Sequence, residues 1–145
     1  MFLKVWETMF SFGRLNPYDP LIGGFVREGR NIGTFKRFSN TRVVVLQIPV
    51  GESSYQAIRK EISQMYSQRR KYRYNYEGLF FAAFGVDWQR KRAFYCSQFV
   101  RNILVNNRAV EAGVLPKVTA PKDFLELPKA KIVFEGQLKA YPTSA

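Results

Sequence analysis

Residues 92–104 read RAFYCSQFVRNIL and hold the only cysteine of the chain. Cys96, Phe99, Val100, Ile103 and Leu104 fall at i, i+3, i+4, i+7 and i+8, one continuous apolar stripe of a helix. Asn106 and Asn107 suit its far end. Cys96 stands at the N-terminal end of the stripe. A helix start offers free backbone N–H groups and the positive end of the peptide dipole, which suit a thiolate and a developing oxyanion. Arg90, Lys91 and Arg92, just upstream, add to that field. The competing reading is plain packing: free cysteines are among the most buried residue types, and most are inert.

Composition removes most other chemistry. The 145 residues suit one domain with a real core, and 46% of them are apolar. A single cysteine excludes an intramolecular disulfide and a cysteine-cluster zinc site. The chain has no histidine, so the usual zinc sites, imidazole acid–base catalysis and a Ser-His-Asp triad are closed. No metal and no cofactor is expected. The thiol of Cys96 is one of the few reactive groups left.

No apolar run approaches the roughly 20 residues that cross a bilayer. The opening MFLKVWETMFSFG carries Lys4 and Glu7 and does not read as a signal peptide, so a cytoplasmic location without a transmembrane segment is expected. The net charge is +12, from 23 basic and 11 acidic residues. Such a field attracts polyanions, whether nucleic acid, anionic lipid or acidic wall polymer. The bases are densest between Arg59 and Arg73.

Along the chain, residues 5–12 (VWETMFSF) read as a strand, followed by turn formers from Gly13 to Pro20. The Gly23-Gly24 pair permits a tight turn, and its spacing fits no phosphate-binding fingerprint. GTFKRF, residues 33–38, alternates as a half-buried strand does, and RVVVLQIPV, residues 42–50, reads as a strand buried on both faces. Ser53 with Gln56 forms a capping-box pattern, which predicts a helix over 54–68. Tyr55, Ile58, Ile62 and Met65 would be its inner face, with Arg59, Lys60, Glu61 and Gln64 outside. GLFFAAFG predicts a short helix closed by Gly85, TAPKDFLEL a short capped helix, and KIVFEG, residues 131–136, a last strand. The tail after Lys139 is expected to be loose.

Basic and aromatic residues interleave in KYRYNYEG. The segment reads either as a stacking platform for single-stranded nucleic acid or as a strand that packs Tyr72, Tyr74 and Tyr76 on one face. The bases at Arg59, Lys60, Arg69 and Arg70 read equally as solvated helix surface.

The strings RYNYEGL and FYCSQFV together resemble the permuted NlpC-type papain-like cysteine hydrolases, including the YiiX-like bacterial proteins. In that group a Tyr-Asp or Tyr-Asn pair precedes the nucleophile, which sits in a Tyr-Cys-Ser-Glu/Gln-Phe/Leu-Val string. Tyr74-Asn75 and Tyr95-Cys96-Ser97-Gln98-Phe99-Val100 match it position by position. MFSFGRLNPYDPLIGGFVREG and TAPKDF also resemble segments of bacterial members, so the likeness covers most of the chain. It implies an α+β, papain-like fold in which the cysteine helix packs on an antiparallel sheet. It also implies thiolate attack on an amide or ester carbonyl, through an acyl-enzyme. Cys96 would be the nucleophile, and Tyr74 would help to bind the oxyanion or line the site. Tyr76, Tyr95 and Gln98 would bind substrate, with Gln98 standing where many relatives have Glu. Peptides, peptidoglycan stem peptides and lipid-linked acyl amides are the implied substrates.

The main departure is the base. In the permuted arrangement a histidine on an early strand precedes the cysteine, and FLKVWET holds none. The chain is therefore expected to be a single papain-like domain, residues 1–145, incomplete at its N-terminus and inactive in this form. A sheet edge left by a missing strand predicts marginal stability, dimerisation through that edge, or a substitute strand from residues 2–12. The alternative from a different class is a non-catalytic basic module that binds nucleic acid or another polyanion through Arg59 to Tyr76.

Overall fold

A computed structural model of the chain describes residues 3–5, 8–13, 23–29, 31–38 and 40–142. The architecture is mixed α and β, with helices packed against a small antiparallel sheet. Strands β1 (Leu3–Val5), β2 (Thr8–Gly13) and β3 (Gly24–Glu28) form that sheet in the order β1-β2-β3. Residues 5–12, expected as one strand, are thus parts of two, and Trp6 and Glu7 lie outside the described residues. The two strands do pair, antiparallel, from Leu3↔Phe10 to Val5↔Thr8.

Helix α4 (Cys96–Asn106) lies against β2, and helix α2 (Glu52–Ser67) lies against β3 and α4. The apolar spacing in both helices explains the arrangement. Ile58, Ile62 and Met65 of α2 are buried, as are Phe99, Val100, Ile103 and Leu104 of α4. Phe25 of β3 joins the layers, its ring edge-on to Phe99 at 5.4 Å and tilted against Tyr72 at 6.3 Å. Burying the four apolar side chains of α4 is worth about 6–12 kcal/mol in area terms, an upper bound because unfolded chains already hide some surface. Leu115, Phe124 and Leu127 close the same cluster from the C-terminal third.

Strand β4 (Arg42–Gln47) pairs antiparallel with β7 (Lys131–Gln137), with a register shift between Val45 and Leu46. Contrary to expectation, β4 is not buried on both faces. Among the described residues its partner is β7 alone, and Val44 is exposed. An unbroken apolar run does not say how many layers cover it. GTFKRF also departs from the expected strand, since Thr34–Arg37 forms one helical turn, α1. Phe35 is buried and Phe38 exposed, and over so short a run the alternating and helical patterns overlap.

Helix α2 begins at Glu52, capped by Gly51 in an extended conformation, and Ser53 is not its cap. Gln56 donates instead to the Glu52 carboxylate at 2.6 Å, inside the first turn. The C-terminal short helix is a 3₁₀ segment, Pro121–Glu126. Asp123 supplies its cap by accepting from Ala120 N–H at 2.7 Å, while Thr119 donates backward to the Pro116 carbonyl. The chain past Lys139 is held rather than loose as far as Tyr141, whose ring meets Phe134 edge-on at 5.2 Å. Among the described residues no helix is long and apolar enough to cross a membrane.

Phe99 is almost fully buried at the contact between α4 and Phe25. Phe99→Ala is expected to lower unfolding free energy by about 3–5 kcal/mol, read from the denaturant midpoint.

Candidate functional site

The two sequence strings that frame the cysteine are brought together by a short parallel pair, β5 (Arg73–Tyr74) and β6 (Ala93–Phe94), in register Tyr74↔Phe94. Arg73 N–H donates to the Arg92 carbonyl at 2.9 Å, and Asn75 N–H donates to the Phe94 carbonyl at 3.0 Å. The chain leaves β6 through Tyr95, an extended cap residue, and enters α4 at Cys96.

Asn75 is the hub. It is fully buried and caps helix α3 (Tyr76–Ala82), its Oδ1 accepting from Gly78 N–H at 2.8 Å. Its Nδ2 donates to the Trp88 carbonyl at 3.0 Å and to Gln98 Oε1 at 3.3 Å. One side chain therefore ties α3, the returning loop and the first turn of α4. Gly78 permits the close approach: a Cβ there would strike the Asn75 amide and lie 2.8 Å from the Trp88 carbonyl oxygen.

Cys96 is half-buried at the first position of α4, neither sealed in the middle of the helix nor free in solvent. The first intrahelical bond runs from Phe99 N–H to the Tyr95 carbonyl at 3.0 Å. The N–H groups of Cys96, Ser97 and Gln98 thus precede the helix's own acceptors and face the side on which the thiol begins. An oxyanion formed beside Sγ would find donors of that kind.

The expected site residues separate into two groups. Tyr74, Tyr95 and Gln98 are buried, whereas Tyr76 is exposed and packs its ring on Tyr74 at 4.7 Å. Tyr95 and Gln98, expected to contact substrate, are instead buried in the protein interior. Each carries an atom without a hydrogen-bond partner among the described residues, Tyr95 Oη and Gln98 Nε2. Burial pushes the Tyr95 phenol up from its ordinary pKa. The neighbouring Asp87 carboxylate, Cys96 thiol and Tyr74 phenol add to the rise, and Arg101 opposes it. Asp87 Oδ1 is a third buried polar atom without a partner among the described residues. Asn75, Asp87, Tyr95 and Gln98 thus form a polar nest around the start of α4.

Tyr72, Tyr74 and Tyr76 do not share one face of a strand. Strand β5 ends at Tyr74, and Tyr76 already belongs to α3. Asn75 is a strong helix-cap residue and could have signalled that break. The Trp88 carbonyl, being main chain, leaves no mark in the residue pattern.

A cleft of about 470 Å³ lies elsewhere, between Lys60, Glu61, Gln64, Tyr72 and Asn107. Asn107 caps the far end of the 11-residue α4, about 16 Å along the axis from Cys96. It bonds Glu61 at 2.6 Å and the Ile103 carbonyl at 2.8 Å, which accounts for the cleft's polar floor as helix-end packing. Among the described residues no cluster of three His, Cys, Asp or Glu could hold a metal ion. Compared with family models, curated proteins and solved structures, the chain matches none.

Gly78→Ala is expected to cost about 2 kcal/mol or more, because a locked amide and a backbone carbonyl must both move. Denaturant unfolding beside the wild type measures it. Tyr95 generates a pH signature. Its raised folded pKa means that its contribution is fully present below the unfolded value near 10 and is lost as pH rises through the folded value. Unfolding free energy should begin to fall as pH approaches 10 and keep falling above it, and Tyr95→Phe should make that fall shallower. At pH 7 the same variant should be at least as stable as the wild type, since it removes a buried hydroxyl without a partner.

Proposed function

We propose that this chain is a papain-like cysteine hydrolase domain of the permuted NlpC type, with Cys96 as nucleophile and with little turnover on amides. One observation carries the reading: Cys96 is half-exposed at the first residue of α4, a helix whose start has no side-chain cap for its first-turn N–H groups. The joining of Tyr74-Asn75 to Phe94 and Gln98 supports it, because the two strings of the resemblance become one site. Peptides, peptidoglycan stem peptides or acyl amides are the substrate class under this reading.

The chemistry is divided by what the chain holds. Attack by the thiolate forms the C–S bond and moves an electron pair onto the carbonyl oxygen, where the α4 amides stand ready. Collapse of that adduct must expel the leaving group. An amine leaves only when protonated, and this chain has no imidazole to do it. General acid–base assistance is worth about 10²–10⁴-fold, so amide turnover should be slower by that order than in a complete site. A phenolate needs no such proton.

The second reading, a basic module for nucleic acid or another polyanion, rests on the exposed bases Arg59, Lys60, Arg70 and Lys71. Burial of Tyr74 removes it from any stacking platform on that face.

Incubation with an activated aryl ester is expected to release about one equivalent of phenol and leave an acyl group on Cys96, seen by intact mass. Cys96→Ala should abolish both, and peptide amides should show no comparable release. Alkylation of Cys96 by iodoacetamide only after denaturation would end the nucleophile reading. Salt-sensitive binding of a polyanion that survives Cys96→Ala, without acylation, would establish the second.

A further inference from the structure

Helix α3 and the loop after it present an apolar face to solvent. Phe84 is 71% exposed and Phe80 62% exposed, with Val86 and Trp88 also open. The rings form one patch: Phe80 meets Phe84 edge-on at 5.3 Å and Phe81 at 5.7 Å, and Phe81 lies against Trp88 at 5.0 Å. Contiguous exposed aromatics on this scale mark an interaction surface.

The border of the patch is basic. Arg90, Lys91 and Arg92 follow directly, all exposed. Arg90 is tied to Glu77 of α3 at 3.1 Å, which fixes the basic segment beside the aromatic helix. Such a surface bridge adds little stability, so its effect here is on placement. A whole-chain charge of +12 extends the field around the patch.

We propose that this aromatic–basic face docks on an anionic phospholipid surface. Aromatic side chains enter the headgroup and acyl boundary, while adjoining Lys and Arg side chains pair with the negative headgroups. The two parts suit this occupant better than the others. A second copy of this chain, seated face to face, would bring two basic borders together and be repelled. Base stacking uses a row of flat rings, but here the rings of Phe80, Phe81 and Phe84 are steeply inclined to one another and the patch continues into Val86, a side chain with no stacking surface. The proposal is independent of Cys96.

Sedimentation with vesicles tests it. Phosphatidylcholine vesicles containing 30% phosphatidylglycerol are the probe, and pure phosphatidylcholine is the control. Binding to the anionic vesicles is expected, with loss in high salt. Phe80→Ser with Phe84→Ser should weaken it by about tenfold or more, and Lys91→Glu by about fivefold or more. Both Phe side chains and Lys91 are exposed, so the variants should unfold at the wild-type denaturant midpoint, which is checked alongside. Vesicle binding unchanged by the Phe substitutions would overturn the proposal, since bulk charge alone would then account for it. So would equal binding to neutral vesicles. Single-stranded RNA binding that disappears in the Phe variant, without vesicle binding, would assign the face to nucleic acid. A dimer that disappears in the same variant, again without vesicle binding, would assign it to self-association.

Discussion

The carboxamide of Asn75 is the constraint on which the site depends. Its oxygen starts α3, and its nitrogen holds both the Trp88 carbonyl and the Gln98 side chain. A buried amide is costly unless its atoms are paired, and here the pairing spans three separate segments. The position of the thiol follows from that pairing, because Gln98 lies in the same helical turn as Cys96 and Asn75 N–H holds the strand that leads into it. The hydrophobic stripe of α4 fixes the helix against Phe25 and β2, and the amide sets the environment of its first turn.

The nest is not fully satisfied. Tyr95 Oη, Gln98 Nε2 and Asp87 Oδ1 lie buried without partners among the described residues. Unpaired polar atoms in a core cost free energy that a purely apolar lining would avoid. Such imperfection is expected where polarity is retained for a site rather than for packing, and it concentrates here at the start of α4. The chain combines a well-packed apolar stripe with a poorly satisfied polar end on one helix.

Legibility in the sequence followed the length and strength of the pattern. The inner faces of α2 and α4 were readable because four or more apolar residues recur at helical spacing in each, and Ile58, Ile62, Met65, Phe99 and Ile103 are buried accordingly. Short runs failed. Thr34–Arg37 turned helical although GTFKRF alternates, and β4 is half-open although its run is unbroken. The start of α2 departs from the capping-box pattern of Ser53 with Gln56, because Gln56 pairs with the Glu52 carboxylate and Gly51 stands at the cap. Of the candidate site, Cys96 at a helix start was legible from spacing, and a link between the Tyr74 string and the cysteine string came only from the resemblance. The hub function of Asn75 was hidden because two of its partners are main-chain groups, which carry no residue identity.

The parallel pairing of β5 with β6 has a consequence for how this molecule can change. The two ends of the 75–92 excursion are clamped side by side, and Asn75 grips its inner stretch near Trp88. Chain between α3 and Asp87 can therefore lengthen without shifting the cysteine, since doubling a loop costs only about 0.6 kcal/mol of closure entropy. Lineages and engineers alike could graft new segments there, varying what the domain touches while leaving its thiol where it stands.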